Sequence, residues 1–505
     1  MTVISAVWSW IWTWILSKAP MLMALLVLIG QLVTGIKPRQ AIANMLKAYI
    51  GYAVFSVGTG GISSALTPAV NAIRASFKNG IVYSEMYFGL GLGKALMEQA
   101  GIAASVSSAA MVGSFLVELF LALPGVKRIT KIRTLLVQGH IMNNHSWCIA
   151  LALFMCFPQL TYMQIVIMSS LMGGIKFAVL SNTTVEAAQT LTDGAGMCVG
   201  HAQMLCDWMA FRIGEGIEFR ARKKGKEVKN LDNIKLPAIM DQLSDIYLSS
   251  FIVVFLFFGG MMLAVGKEAM MAQDSSLTEK TSFFYYIFTT TAKFPVYLCI
   301  VQTGLRMFIA EMIVAFTGIS EKLLKNSLPG IDVAAFYGFA PNANCLTVGF
   351  LVGTTAMILT SFGMWAIGLP FAVFTAFMSM FFDNASVGMF GYLKGGLKGC
   401  VISALLTGFI NIFFGGLGAY ILGYIAMGGV PGSNTDFSIL HTFWGVLWKG
   451  IGMPGFWLSC IIMLALPQIQ YLKNKDTYWL AVEDWEKYKE VKEAKIEARL
   501  AACKQ

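Results

Sequence analysis

The side chains able to do chemistry in this sequence lie in glycine-rich breaks between apolar runs. Gly139-His140-Ile141-Met142-Asn143-Asn144-His145 opens one such run, and Gly200-His201-Ala202-Gln203 lies in another break. Imidazoles and amides both donate and accept hydrogen bonds, a set suited to the hydroxyls of a sugar or polyol. Metal binding needs clustered His, Cys or carboxylate ligands, and the spacing here offers none, so no metal or other cofactor is expected. His140 reads equally as a ligand or as a helix-start residue near an interface. His201 reads as functional, because its segment has to be buried against protein. Gly330–Phe350 carries Asp332, Tyr337, Pro341, Asn342 and Asn344 between apolar stretches. A helix broken inside hydrocarbon is tolerated only against protein or a wet cavity, which makes Asp332 a candidate for substrate binding. The competing reading places it in a loop outside the bilayer, capping the next helix.

Weaker signals surround these. Gly58-Thr59-Gly60-Gly61 lets backbone approach a ligand or lets two helices pack closely. Glu85-Met86-Tyr87 supplies an acid and a ring, or is an ordinary loop. Asp383-Asn384 ends a helix or lines a pathway, and Arg306 with Glu311 reads as an ion pair facing the bundle. The sequence has no phosphate-cradling GxxxxGK[ST], GxSxG or HExxH motif, so nothing here powers primary transport or marks a catalytic centre.

The elements that position these groups are membrane helices. The 505 residues are 57% hydrophobic and 13% charged, where soluble domains are about a quarter charged. The net charge of +10 is concentrated in a few loops, which speaks to topology and not to nucleic acid. The nine cysteines are scattered and read as small buried hydrophobes. The N-terminus lacks a basic region followed by a small-residue cleavage site, so no removable signal peptide is expected. Val7–Leu16, with Trp8, Trp10 and Trp12, reads as an interfacial lead-in.

Hydropathy predicts an all-α polytopic membrane protein of about eleven spans of roughly 20 residues each. Basic loops then alternate, among them Lys127–Arg133 and Arg220–Lys235, which places the N-terminus outside and the C-terminus in the cytosol. The alternation holds only if Thr190–Ile213 and Asp332–Ala343 are re-entrant or half-helical. Trp365–Phe382 and Val401–Met427 are read as two of the spans. Residues 1–470 form the membrane unit, and residues 471–505 form a charged, helix-prone cytosolic tail.

VGTGG near Gly58, EMY at Glu85–Tyr87, GHIM at Gly139–Met142 and TDGAGMCVGH at Thr192–His201 are followed by QTGLRMFIAE, IDVAAFYGFAPNA and MFFDNASVG. In that order the set resembles the ascorbate-type enzyme IIC permeases of the bacterial phosphoenolpyruvate-dependent phosphotransferase system, over nearly all of the membrane region. The resemblance implies a homodimer in the inner membrane, among lipids, with a core domain and a dimerisation domain of V-shaped helix pairs. It implies elevator-like import of L-ascorbate or a related sugar acid, phosphorylated on entry by a separate phospho-IIB protein. Carried over by motif, the substrate-binding residues are Gly58, Thr59, Tyr87, His140, His201 and Asp332, with Glu85, Met86, Asn144 and Gln203 beside them. Three positions depart from the pattern. Met86 stands for a threonine, Asn144 for a glutamine and Ala202 for a glutamine. Each lost hydrogen-bonding group costs about 1 kcal/mol or more around a polar ligand. Water or Gln203 compensates, or the ligand is another sugar acid or a polyol. Without the resemblance, an ion-coupled secondary transporter using Asp332 or Glu85 is the alternative.

Overall fold

A computed structural model describes residues 10–11, 14, 19–76, 82–103, 105–231, 245–324, 326–342, 344–375 and 377–503. The tryptophan-rich lead-in and the end of the Arg220–Lys235 loop fall largely outside these residues. Along the chain run α1 (Ala19–Val33), α2 (Pro38–Ser76), α3 (Met86–Gln99), α4 (Val106–Ala122), α5 (Pro124–Thr130), α6 (Gly139–Cys156), α7 (Tyr162–Thr183) and α8 (Val185–Thr192). There follow α9 (Met204–Lys223), α10 (Ile246–Val254), α11 (Phe283–Leu323), α12 (Asn344–Ala366), α13 (Phe377–Leu422), α14 (Thr435–Ile451), α15 (Met453–Lys473) and α16 (Trp485–Ala502).

Among the described residues, six stretches are long and apolar enough to cross a membrane: 38–73, 162–183, 283–304, 344–366, 379–422 and 453–473. A seventh is α4 with α5, bent by 85°. The all-α membrane class expected from hydropathy is therefore present. The span expected at Trp365–Phe382 is not one helix, because residues 367–375 turn and enter a strand. The other difference lies in α13, which is really two limbs. Gly396 has φ 56°, and the second limb turns back so tightly that a Cβ on Gly391 would sit 2.6 Å from the Gly399 carbonyl. Only hydrogen side chains on facing turns permit that approach.

The helices pack in groups. α1, α2 and α11 lie together, with α10 against α11; α12, both limbs of α13, α9 and α14 form a second set; α4, α6, α7 and α15 form a third. Large apolar side chains such as Ile29, Leu32, Ile42, Leu46, Ile50 and Val57 face outward from α1 and α2. Such a surface is costly in water and ordinary in lipid or against a partner.

Five short strands interrupt the helices, each at the entrance to the next one. β2 (Thr134–Leu136), β4 (Leu328–Ile331) and β3 (Cys198–Val199) form a parallel ladder in that spatial order. β1 (Val82–Ser84) pairs in parallel with β5 (Val373–Thr375), and Ser84 bridges to Val430. Strand edges buried inside a membrane protein need partners for their N–H and C=O groups. They have them. On the β2 edge, Leu136 N donates to Glu118 Oε1 (2.5 Å) and Arg133 N to Asn182 Oδ1 (3.1 Å). On the β3 edge, Val199 N donates to Thr184 Oγ1 (3.1 Å), and the same hydroxyl donates to Val199 O (3.2 Å).

Candidate functional site

The parallel ladder explains how three distant motifs meet. Strands that run the same way end on the same side. Beyond β2 lie Gln138, Gly139 and His140; beyond β3, Gly200 and His201; beyond β4, Asp332. The register pairs Leu136 with Gly330, Cys198 with Gly330, and Val199 with Ile331. Val137 N donates to Gly330 O (3.1 Å) and Gly200 N to Ile331 O (2.7 Å), which carries the ladder to the last residue before each motif. Glycine is required at the centre, since a Cβ on Gly200 would sit 2.7 Å from the Gly330 carbonyl.

Each exit is then fixed separately. Asp332 is buried, and its Oδ1 accepts from Ala334 N (2.9 Å), capping the 3-10 turn Val333–Phe339. The capping role is thus present. Tyr337, in that turn, donates its hydroxyl to Phe382 O (3.2 Å) and stacks on the Phe382 ring. His201 packs against the Phe382 ring, 5.7 Å between ring centres.

After His201 the polar groups are linked in one direction. Gln203 Oε1 accepts from His201 Nδ1 (2.5 Å) and Ala202 N (3.1 Å), and its Nε2 donates to Ser386 Oγ (3.1 Å). Ser386 Oγ in turn donates to Asp207 Oδ1 (2.7 Å). Both ends of the Gln203 amide are therefore engaged, with one of its two Nε2 hydrogens in the bond to Ser386. The start of α9 is capped by Asp436, which accepts from Met204 N (3.2 Å) and Leu205 N (3.0 Å). Asp383 closes the group, accepting from Asn434 Nδ2 (2.6 Å), Thr435 N (2.8 Å) and Asn411 Nδ2 (3.3 Å).

The second strand pair positions the EMY motif. Glu85, buried, donates its N–H to Val430 O (3.2 Å) where β1 enters α3. Met86 touches α6, its sulfur 3.5 Å from Cys148 Sγ. One face of α6 also reaches α2, where Asn143 Nδ2 donates to Tyr52 Oη (3.4 Å). Asn144 is buried on the same helix. Thus α6 links the GHIM motif to both EMY and α2. The side chains of Thr59, Tyr87 and His140 lie outside the described residues; their backbones belong to α2, α3 and α6. Gly58 lies elsewhere, against the long helix α11, where a Cβ would meet Val301 at 2.7 Å and Tyr297 O at 2.9 Å, so close helix packing accounts for it. Glu311 pairs with Lys47 (3.6 Å) and accepts from Gln31 Nε2 (3.3 Å), and Arg306 is exposed. The expected Arg306–Glu311 pair is therefore replaced by contacts to α1 and α2.

Sequence reasoning missed Asp207, Ser386, Asn434 and Asp436. It also missed Lys176, fully buried on α7 with Nζ 2.9 Å from His145 Nδ1. The available signal was an ionisable residue inside an apolar stretch, which Asp207 and Lys176 both are; Asp436 follows the polar turn Ser433-Asn434-Thr435 and gave no such signal. Among the described residues no group of His, Cys, Asp and Glu could hold a metal ion.

The charged groups outside the spans gather at the other end of α9. Glu186 of α8 pairs with Arg212, and Arg212 Nη1 also reaches Glu215 (2.6 Å). Lys492 of α16 reaches Glu215 (2.6 Å) and Glu186 (4.0 Å). Burial pushes the Glu186 carboxyl up, but Arg212, then Lys492 and Arg133, outweigh it and hold it down at about 2.

A family model described as "PTS system sugar-specific permease component" matches residues 14–436. The ascorbate-specific PTS system EIIC component of Mycoplasma pneumoniae (strain ATCC 29342 / M129 / Subtype 1) is 26% identical over 434 residues. The aligned part covers 79% of this chain and 64% of that protein, so the chain spans somewhat less than two thirds of its relative's length.

Proposed function

This chain belongs to the sugar-specific permease components of the PTS system, and from that premise we propose that it imports L-ascorbate or a related sugar acid. Import is coupled to phosphorylation of the sugar by a separate cytosolic phospho-IIB protein. The observation that carries the reading is the parallel ladder, whose strand ends set His140, His201 and Asp332 at one side of a buried junction. Imidazoles and a carboxylate supply acceptors and donors for a hydroxylated ligand. The departures at Met86, Asn144 and Ala202 favour a sugar acid related to ascorbate, since the nearby Gln203 is already engaged.

The remainder of the proposal is architectural. The chain crosses the inner membrane about eleven times, with its N-terminus outside and its C-terminus cytosolic. It forms a homodimer through the α1–α2–α11 side, and the helices that carry the site move as an elevator. The outward apolar residues of α1 and α2 support that side as a lipid or partner face.

Uptake into proteoliposomes tests the function. With phospho-IIB present, labelled ascorbate or a hexuronic acid should accumulate as its phosphate. Accumulation of unmodified sugar under a pH gradient alone would identify an ion-coupled transporter instead.

A further inference from the structure

We propose that Gln203 is a positioning residue that fixes the proton of His201 on Nδ1, so that Nε2 is an acceptor for a hydroxyl of the ligand. The inference rests on the reading of His201 as a substrate residue.

The direction of every bond follows from one group that can only donate. The backbone N–H of Ala202 points at one end of the Gln203 amide, 3.1 Å away. That end must be the oxygen, because an NH₂ there would face another donor. Oε1 cannot donate, so the His201 nitrogen at 2.5 Å has to carry a hydrogen. The amide nitrogen then donates to Ser386 Oγ, and the serine hydroxyl is left to donate to the Asp207 carboxylate at 2.7 Å, with the Asp383 carbonyl at 3.1 Å as a second acceptor. The chain ends on an acceptor and contains no conflict. All four side chains are buried, with His201 retaining 8% of its surface. Phe382, held by the Tyr337 hydroxyl, lies against the imidazole and limits its rotation.

A neutral imidazole has one donor and one acceptor nitrogen. With Nδ1 committed to Gln203, Nε2 has no hydrogen-bond partner among the described residues and offers a lone pair. The group it takes is a hydroxyl that donates, and a ligand whose hydroxyl is removed or methylated at that position loses the contact. The specificity is set by Gln203 without Gln203 touching the ligand.

The test uses the full-length protein in lipid with 15N-labelled histidine. The chain has four histidines, and the His201 signal is the one lost in His201→Asn. In the wild type Nε2 should resonate as an unprotonated nitrogen near neutral pH. Gln203→Leu should give a mixture of tautomers. Gln203→Glu places a carboxylate on Nδ1–H and should protonate both nitrogens. Ser386→Ala, which removes only the far link, should leave the wild-type signal. Binding is measured with ascorbate and with singly deoxygenated or O-methylated ascorbates and hexuronic acids. The wild type should discriminate against one altered hydroxyl by about tenfold, and Gln203→Leu should lose that discrimination. A protonated Nε2 in the wild type, or unchanged spectra and analogue ranking in both Gln203 variants, would overturn the positioning role. Unchanged binding in His201→Asn would overturn the substrate role of His201, and with it the use of Nε2, whatever the spectra show.

Discussion

The two ends of α9 satisfy their polar groups by different means. At the N-terminal end, His201, Gln203, Ser386 and Asp207 form a directed chain, while Asp436 and Asp383 bind backbone and amide N–H groups. At the C-terminal end, α9 meets α16 through Arg212, Glu215, Lys492, Arg222 and Glu493. A groove of about 640 Å³, lined mostly by charged side chains, runs between them. The first end is dry, so a mispaired group there bears its whole desolvation cost. The second is wet only in part: Arg212, Glu215 and Lys492 are partly exposed and partly screened, while Glu186 is buried among them. The helix dipole suits both, with the Asp436 carboxylate at the positive end and Arg220, Arg222 and Lys223 in the last turn. The buried end thus fixes geometry, and the exposed end sets how firmly the tail is held.

The contrast is broken most severely at Asp383. Asp383→Ala leaves the donors of Asn434, Thr435 and Asn411 without their acceptor, at a cost of about 3 kcal/mol or more. Asp383→Asn keeps one acceptor oxygen and should cost clearly less. Thermal melting of the purified protein in detergent reads both, and equal melting of Ala and Asn variants would refute the ordering.

Asp332 separates positioning from binding within the buried end. Its bond to Ala334 N is a cap, and asparagine caps as well as aspartate. Asp332→Asn should therefore melt like wild type yet lose uptake by about tenfold or more, since a carboxylate binds a ligand hydroxyl more strongly than an amide oxygen does. For an acidic ligand the loss should vary with pH. Wild-type uptake across pH would leave the residue as a cap only.

At the wet end the effect is smaller and depends on pH. The folded carboxyl of Glu186 sits at about 2, below the ordinary value of about 4.3 for an exposed glutamate. A lowered pKa means that ionisation stabilises the fold above the ordinary value. That stabilisation disappears as pH falls through about 2. Glu186→Gln should cost about 2 kcal/mol near neutral pH, because the buried carboxylate is lost to Arg212 and Lys492, and the gap in melting temperature should narrow as the medium is acidified below about 4. A gap that is constant or widens on acidification would contradict the pairing.

The sequence made the wet end and the helices easy to read. Apolar runs in a chain with few charges identify membrane helices. The GHIM, GHAQ and IDV motifs stood out as polar breaks. Why they belong together was not legible, because β2, β3 and β4 are too short for strand periodicity and pair across nearly 200 residues, from Thr134 to Leu328. The apolar run Trp365–Phe382 reads as a span by hydropathy alone, which cannot register that Val373 pairs with Val82. Conversely, Lys394 and Lys398 beside Gly396 mark a break between spans, but nothing in hydropathy says that the second limb of α13 folds back against the first. Asp207 and Asp436 were passed over because their partners lie far away in sequence.

The smallest effect is expected at Asp193, and it separates backbone from charge. Asp193 ends α8 in the left-handed conformation, φ 49°, and its Oδ1 accepts from Trp485 Nε1 (3.0 Å) and Lys489 Nζ (3.0 Å). Hydrogen bonds to Trp485 and Lys489 and the Lys489 charge pull its carboxyl below the ordinary range. The group is nonetheless exposed, so water and salt screen the pair. Asparagine tolerates the left-handed conformation and offers the same carbonyl to Trp485. Asp193→Asn should therefore melt with the wild type at physiological ionic strength. Asp193→Ala loses the tryptophan bond and places a Cβ-bearing residue with no local hydrogen bond in that conformation, so it should melt lower at any salt concentration. If Asn falls as far as Ala, and salt abolishes the difference from wild type, then charge and not backbone holds this corner, and the wet end obeys the rule that has been assigned to the dry one.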